Sequence, residues 1–189
     1  MKYWRLVSLF VLGCFAISAS AQDAAPAGDR TLSLKDYRDK MRAGWLGQMA
    51  GVGWGDVTEF KYTDNIVPEN KMPAWKPALI NQFQQDDIYV EMTFVRTLDD
   101  YGLEAPIRQA GIDFANSGYE LWHANKFGRK ALRNGIAPPD SGHPKYNGHA
   151  DDIDYQIESD YSGLVAPGMP QIAIELGDTF GRLMNYGDG

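Results

Sequence analysis

Two adjacent carboxylates stand at the mouth of an apolar run in Gln84-Gln85-Asp86-Asp87-Ile88-Tyr89-Val90-Glu91. Apolar residues then recur at helical spacing, and they are Ile88, Met92, Val95 and Leu98. This period places the pair on the first turn of a helix, where free N–H groups and the helix dipole favour negative charge. Adjacent carboxylates repel each other and lose hydration on burial, so a cation or a hydrogen-bond network has to compensate them. The residues alone leave two alternatives open: a metal site, or an ordinary N-cap at Asp86 or Asp87 with Glu91 on a solvated face.

The N-terminus has the pattern of a secretory signal peptide over residues 1–21. Lys2 and Arg5 give a basic start, residues 6–17 are almost wholly apolar, and the small residues 19–21 suit a cleavage site. The apolar run is short for a membrane span, so we expect an exported protein, periplasmic or secreted, with no stable span after cleavage. Lipoprotein processing at Cys14 is the alternative. Residues 22–32 are expected to form a flexible leader.

Cysteine content and net charge limit the kinds of reaction, metal site and partner that this protein can have. Cleavage after residue 21 removes Cys14, the single cysteine, which excludes disulfides, thiol chemistry and cysteine-bound zinc from the mature chain. The net charge is −7 and the sequence contains no basic run. Both observations argue against a nucleic-acid partner. Carboxylate and amide oxygens then favour Mg²⁺, Mn²⁺ or Ca²⁺ over zinc or copper as a ligand of this protein.

Helical patterns dominate the remaining sequence. Ser33 and Asp36 form a capping box, and the helix that follows runs into a glycine-rich stretch at 44–55. The glycines predict either close helix contact or a loop that admits a ligand to the backbone, closed by Glu59 and Phe60. Further helices are predicted from Asp86 to near residue 102, after 105, across 119–132 and across 170–184. We therefore predict an all-α fold with a long surface loop at 61–77 and a rigid, exposed connection at 138–144.

A second acidic cluster occupies residues 151–160. Its polar and apolar residues alternate, which would put Glu158 and Asp160 on one side of an extended segment suited to sugar hydroxyls. Ser162 and Gly163 follow at a turn that is open to a ligand. A solvated segment without a ligand is the alternative. The histidines at 123 and 143 are interpreted as packing or loop residues, and only His149 is considered for a site role.

The glycine-rich stretch resembles the opening of the ADP-ribosylglycohydrolase family, in which a helix and spaced glycines lead to a Glu-Phe pair. The residues in register are Gly47, Gly51, Gly55, Glu59 and Phe60. Asp86 and Asp87 resemble the family's first metal motif, usually Thr-Asp-Asp-Thr, and Gln85 and Ile88 stand where the family has threonine. Residues 162–170 resemble its ligand-contacting turn.

The resemblance implies a compact, orthogonal helical domain around a cleft with two Mg²⁺ or Mn²⁺ ions. Such an enzyme hydrolyses an ADP-ribosyl or other glycosyl bond of a small-molecule or glycan substrate. Its metal ligands would be Gln85, Asp86 and Asp87, its catalytic residues Glu59 and Asp87, and its substrate-binding residues Glu59, Glu158, Asp160, Ser162 and Gly163. The family's second metal motif is missing, so residues 33–189 are interpreted as the N-terminal part of one such domain. A catalytically inert carbohydrate-binding protein on the same fold, or a fragment without function, are the alternatives.

Overall fold

Helices provide all the regular secondary structure of the described residues, 31–82 and 84–189, in a computed structural model of the chain. They are α1 (Leu34–Gly55), α2 (Asp86–Tyr101), α3 (Ile107–Asn116), α4 (His123–Arg133), α5 (Asp154–Ile157), α6 (Asp160–Val165) and α7 (Pro170–Gly181). Within the same residues, short 3₁₀ helices lie at Glu69–Lys71, Pro77–Asn81 and Asp140–Gly142. The all-α fold class is therefore confirmed. The predicted signal peptide, Cys14 and most of the leader lie outside the described residues.

α2 lies at the centre of the core. One of its faces carries Val90, Phe94 and Leu98, which are 0%, 0% and 8% exposed. The ring of Phe94 packs against four other rings at centroid distances between 4.9 and 6.3 Å, and these belong to Phe114, Tyr155, Tyr161 and Phe180. Because the four rings come from α3, α5, α6 and α7, a single side chain of α2 joins most of the helices.

α1 begins as predicted but does not end as predicted. The hydroxyl of Ser33 accepts a hydrogen bond from the backbone N–H of Asp36 at 3.0 Å, which caps the helix. The loop alternative for residues 44–55 is wrong, because the helix continues through the glycines to Gly55. Close contact is found instead at Gly53, where a Cβ would lie 2.8 Å from the carbonyl oxygen of Leu79 in the 3₁₀ helix Pro77–Asn81. Gly53 is the one buried residue of α1, so this helix covers the core only sparsely.

The later helices follow the predicted order with shifted ends. α2 ends at Tyr101, and Gly102 then takes a left-handed conformation with a φ of 84°. α4 begins at His123, later than residue 119, and α7 ends at Gly181, short of residue 184. The connection at 138–144 is not fully exposed, because Ser141 and Gly142 are buried in the 3₁₀ helix there.

Residues 154–157 form the short helix α5 and Asp160 begins α6, so the predicted extended segment is wrong. Asp154 and Glu158 lie four residues apart, and both are buried, at 7% and 0% exposure. Asp160 opens α6 and is exposed. Glu158 is therefore buried while Asp160 is exposed, whereas the alternating pattern predicts both on the same side of an extended segment. No helix within the described part of the chain is long and apolar enough to cross a membrane.

Candidate carboxylate site

Five carboxylates from separate parts of the chain converge at the start of α2. We call Glu59, Asp86, Asp87, Asp154 and Glu158 the carboxylate cluster. Burial raises the pKa of Asp87 to about 7, and the charges of Asp86, Asp154 and Glu59 add to that rise. Burial also raises the pKa of Glu158 well above its usual range, with further contributions from Asp87, Asp154 and Asp86. These mutual effects show that the five groups share one electrostatic environment.

The α2 end of the cluster is arranged by the helix itself. Asp86 and Asp87 occupy the first turn of α2, as the sequence predicts. Burial raises the pKa of Asp86, whereas hydrogen bonds from the backbone N–H groups of Asp86 and Asp87 partly offset the rise. The free N–H groups of a helix start thus stabilise two carboxylates that would otherwise be costly to bury side by side.

Asn125 in α4 holds the other end of the cluster. Its backbone N–H donates to Oδ1 of Asp154 at 3.1 Å, and its side-chain Nδ2 donates to Oε1 of Glu158. Oε2 of Glu158 is buried and has no hydrogen-bond partner within the described residues. A buried carboxylate oxygen without a partner is unusual in a folded protein, and a bound cation would satisfy it.

A sixth carboxylate, Glu91, lies one turn beyond Asp87, and besides burial the charge of Asp87 contributes to its raised pKa. Nε2 of Gln48 donates to both carboxylate oxygens of Glu91 and to Oδ2 of Asp160, each at 3.1 Å. The backbone N–H of Tyr161 donates to Oε2 of Glu91 at 2.9 Å. Glu91 is 1% exposed, so the alternative of a solvated face is wrong. Burial raises the pKa of Glu91 to about 7.

No lysine or arginine among the described residues forms an ion pair with any member of the cluster. The ion pairs of that part of the chain involve Lys35, Arg96, His149 and Arg182, with Asp39, Asp100, Asp152 and Asp178 respectively. Backbone N–H groups and the side-chain amide of Asn125 donate to the cluster, and His123 partly offsets the rise that burial causes in the pKa of Asp154. Oxygen ligands with uncompensated charge suit hard divalent cations.

Two of the other predicted site residues, Gln85 and Ser162, make hydrogen bonds within the protein and are less available to a ligand. Gln85 is 6% exposed, and its amide nitrogen donates to the carbonyl oxygen of Ile80. The hydroxyl of Ser162 donates to the carbonyl oxygen of Ser159 at 2.7 Å, within α6. Gly163 is exposed on the same helix, and a Cβ there would meet no atom within 4 Å. The structure thus brings Glu59, Asp86, Asp87 and Glu158 together and leaves Asp160, Ser162 and Gly163 beside them on α6.

Sequence reasoning missed several members of the site. The sequence patterns give no site role to Asp154, Gln48 or Asn125, and they place Glu91 only on the solvated face of the N-cap alternative. The signal that would have found two of them is a spacing of four residues. Asp87 and Glu91 repeat at this interval, as do Asp154 and Glu158, and residues four apart lie on one helix face.

Comparison with known proteins does not assign this chain to a family or a function. No protein-family profile, no curated protein and no solved structure matches this chain significantly. The chemistry of the cluster is that of carboxylate oxygens with no lysine or arginine partner among the described residues, and in Asp86, Asp87, Asp154 and Glu158 burial raises the pKa.

Proposed function

We propose that this chain belongs to an exported, metal-dependent glycohydrolase that resembles the ADP-ribosylglycohydrolases. Its substrate carries an ADP-ribosyl or other glycosyl bond. The observation that supports the proposal most directly is the carboxylate cluster, because its charges are brought together without any lysine or arginine among the described residues. Such an arrangement is costly unless a divalent cation binds to it.

The residues of the cluster fit Mg²⁺ or Mn²⁺. All of its metal-binding atoms are carboxylate oxygens, which both ions prefer, and one of them, Oε2 of Glu158, has no hydrogen-bond partner in the part of the chain that the structure describes. Asp86, Asp87 and Glu158 would hold the ion or ions, and Gln85 would complete the site with its amide oxygen. A bound ion of this kind lowers the pKa of a water ligand and polarises sugar oxygens.

The chain itself supplies the proton transfers. Glu59 is exposed, lies in the turn after α1 and faces Asp87 closely enough for its charge to affect the pKa of Asp87. Glu59 would donate a proton to the leaving group, while Asp87 would accept one from the attacking water. Asp160 and Gly163 are exposed on α6, where they would contact the sugar.

Thermal unfolding with and without metal tests the proposal. Millimolar Mg²⁺ or Mn²⁺ should raise the melting temperature by roughly 5–10 °C if it is present at about 100 times its dissociation constant. Asp87→Asn should abolish this rise. Asp99→Asn, an exposed change near the far end of α2, is the matched control and should keep it. An unchanged melting temperature of the native protein in either metal would rule out the metal centre.

Turnover needs a separate measurement. Glu59→Gln should lower the rate of hydrolysis of an aryl riboside or of an ADP-ribosylated peptide about 100-fold or more, because it removes the acid while leaving the metal ligands in place. A rate that does not change would assign the acid to another group.

One observation favours a second function, a catalytically inert carbohydrate-binding protein. Ile88, which stands beside the aspartate pair where the resembled family has a threonine, is 6% exposed in the core and has no atom that could bind a metal. Trp75 and Trp122 are 45% and 41% exposed and present faces on which a sugar ring stacks. Glycan binding that survives Glu59→Gln, with no hydrolysis by either protein, would favour this second function.

A further inference from the structure

A mixed group of nitrogen and oxygen ligands lies next to the carboxylate cluster. His123, Asp152 and Asp154 each offer one ligand atom, and these atoms all lie within 4.8 Å of one another. His123 opens α4, Asp154 opens α5, and Asp152 lies in the turn before α5. In a tetrahedral zinc site with bonds of about 2.1 Å, two ligand atoms are about 3.4 Å apart, so side-chain movements of roughly 1 Å are needed to bring the three onto a common ion.

Hydrogen bonds orient both carboxylates of this group. Oδ1 of Asp154 accepts from the backbone N–H of Asn125 at 3.1 Å, and the backbone N–H groups of Ala124 and Asp154 also hydrogen-bond to this carboxylate. Oδ2 of Asp152 is 2.8 Å from Nδ1 of His149, which leaves Oδ1 outside this hydrogen bond. The ring of His149 in turn packs against Phe127, with centroids 4.8 Å apart, and against His123 at 5.6 Å. His149 therefore positions Asp152, as a histidine–carboxylate pair does beside many protein metal ions.

Two buried asparagines hold the turn that carries these residues. Nδ2 of Asn185 donates to the carbonyl oxygens of Ala150 and Asp152, at 3.0 and 2.6 Å. Oδ1 of Asn147 accepts from the backbone N–H of His149 at 3.0 Å. Asn147 and Asn185 are 0% and 3% exposed, so solvent does not compete for these bonds. The turn is thus organised before any ligand arrives, which is what a specific metal site requires.

We propose that His123, Asp152 and Asp154 form a zinc site next to Asp86, Asp87 and Glu158, which would hold Mg²⁺ or Mn²⁺. One imidazole and two carboxylates make three protein ligands of the types that Zn²⁺ accepts, and a water would complete the tetrahedron. The imidazole distinguishes this site from the all-oxygen cluster, because nitrogen ligands favour zinc over Mg²⁺. The ion also neutralises two carboxylates that no lysine or arginine of the described residues pairs with.

The zinc site links two parts of the fold. Zn²⁺ on these ligands joins the first residue of α4 to the first residue of α5. Asp154 also belongs to the carboxylate cluster, since its charge contributes to the raised pKa of Asp87. The ion thereby fixes the turn that delivers Asp154 and Glu158. This inference does not depend on hydrolysis, because it concerns metal binding by residues outside the proposed catalytic set.

Zinc binding by the native chain tests the proposal, with millimolar Mg²⁺ present to fill the carboxylate cluster. Isothermal titration should give one zinc ion per chain. His123→Asn and Asp152→Asn should each weaken binding at least tenfold, and His149→Phe, which keeps a ring but loses the hydrogen bond to Asp152, should weaken it about tenfold. Asp151→Asn, an exposed neighbour outside the group, is the control and should leave the affinity unchanged.

Three outcomes would overturn the zinc site. One is the absence of zinc binding by the native chain in Mg²⁺, and another is native affinity in His123→Asn. The third is a loss of zinc in Asp87→Asn with no loss in His123→Asn, which would place the ion in the carboxylate cluster. If the variants fail to fold, X-ray absorption at the zinc edge of the native chain decides: one imidazole among oxygen ligands supports the site, and an all-oxygen shell refutes it.

Discussion

Glu91 gives the clearest connection between the structure and a measurement. It is 1% exposed, accepts hydrogen bonds from Gln48 and the backbone of Tyr161, and lies one helical turn from Asp87. Glu91→Gln keeps the shape of the side chain and an oxygen that accepts from Gln48 and Tyr161. It removes the charge. The difference in stability between the two proteins therefore reports what it costs to bury that charge.

The magnitude follows from the pKa shift. Burial raises the pKa of Glu91 from 4.5 to about 7. A shift of this size corresponds to about 3 kcal/mol, at 1.36 kcal/mol per pKa unit. Because the folded pKa lies above the unfolded one, the folded state retains the proton at a pH where the unfolded state has lost it. The stability linked to Glu91 is complete below about pH 4.5 and is lost as the pH rises through 7.

The expected result is a stability difference that depends on pH. Near pH 5 the native protein and Glu91→Gln should unfold with similar free energies. At pH 8 the variant should be more stable by about 3 kcal/mol, or roughly 6–12 °C in melting temperature. Urea unfolding followed by circular dichroism, in EDTA at five pH values, measures both quantities. Burial also raises the pKa of Asp87 to about 7, so the native protein should lose further stability between pH 5 and pH 8 through that residue.

A flat difference between the two proteins from pH 5 to pH 8 would refute the reasoning, because it would mean that Glu91 titrates alike in the folded and unfolded states. Glu104→Gln serves as the control. Glu104 is exposed between α2 and α3, and its substitution should change stability by less than about 0.5 kcal/mol at any pH.

Three further predictions concern the fold, and thermal or urea unfolding checks each. Gly53→Ala should destabilise by about 1–3 kcal/mol, since its Cβ would lie 2.8 Å from the backbone of Leu79, whereas Gly47→Ala, in open space on the same helix, should stabilise by up to about 1 kcal/mol. Equal effects of the two would contradict the contact. Phe94→Ala should cost about 3–5 kcal/mol, because the ring is fully buried among four others. Ser33→Ala should cost about 1 kcal/mol through loss of the cap, and no change would mean that α1 frays there.

The sequence predicts the helices well where their signals are local. The cap at Ser33, the acidic first turn of α2 and the glycine after Tyr101 each act within a few residues, and all three are found. The glycine-rich stretch was ambiguous because a glycine that ends a helix and one that allows close packing look alike in sequence. The contact that decides between them, Gly53 with Leu79, joins residues far apart in the chain.

The site is less predictable for the same reason. Residues 151–160 alternate like a strand, but their burial follows a helical period, since Asp154 and Glu158 pack against Asn125 of α4. Short helices such as α5 are stabilised by tertiary contacts more than by their own sequence. His123 gave no local reason for a site role, because its neighbours in the metal group lie in the turn before α5. In both cases the structure depends on contacts with residues from distant segments of the chain, which the local sequence pattern does not contain.

The sparse packing of α1 has a consequence for how the molecule opens. Because Gly53 is the one buried residue of α1, we expect this helix to unfold locally more readily than the core around Phe94, although Trp45 and Gln48 also contact that core. Its amide hydrogens should therefore exchange with solvent well before those of α2. Glu59 is in the turn that follows α1, with its backbone N–H bonded to the carbonyl oxygen of Gly55 at 3.0 Å, and it moves with that helix. The members of the carboxylate cluster at α2 and α5 should therefore stay in place during such local unfolding. Glu59 should leave the cluster when α1 unfolds and return when it refolds.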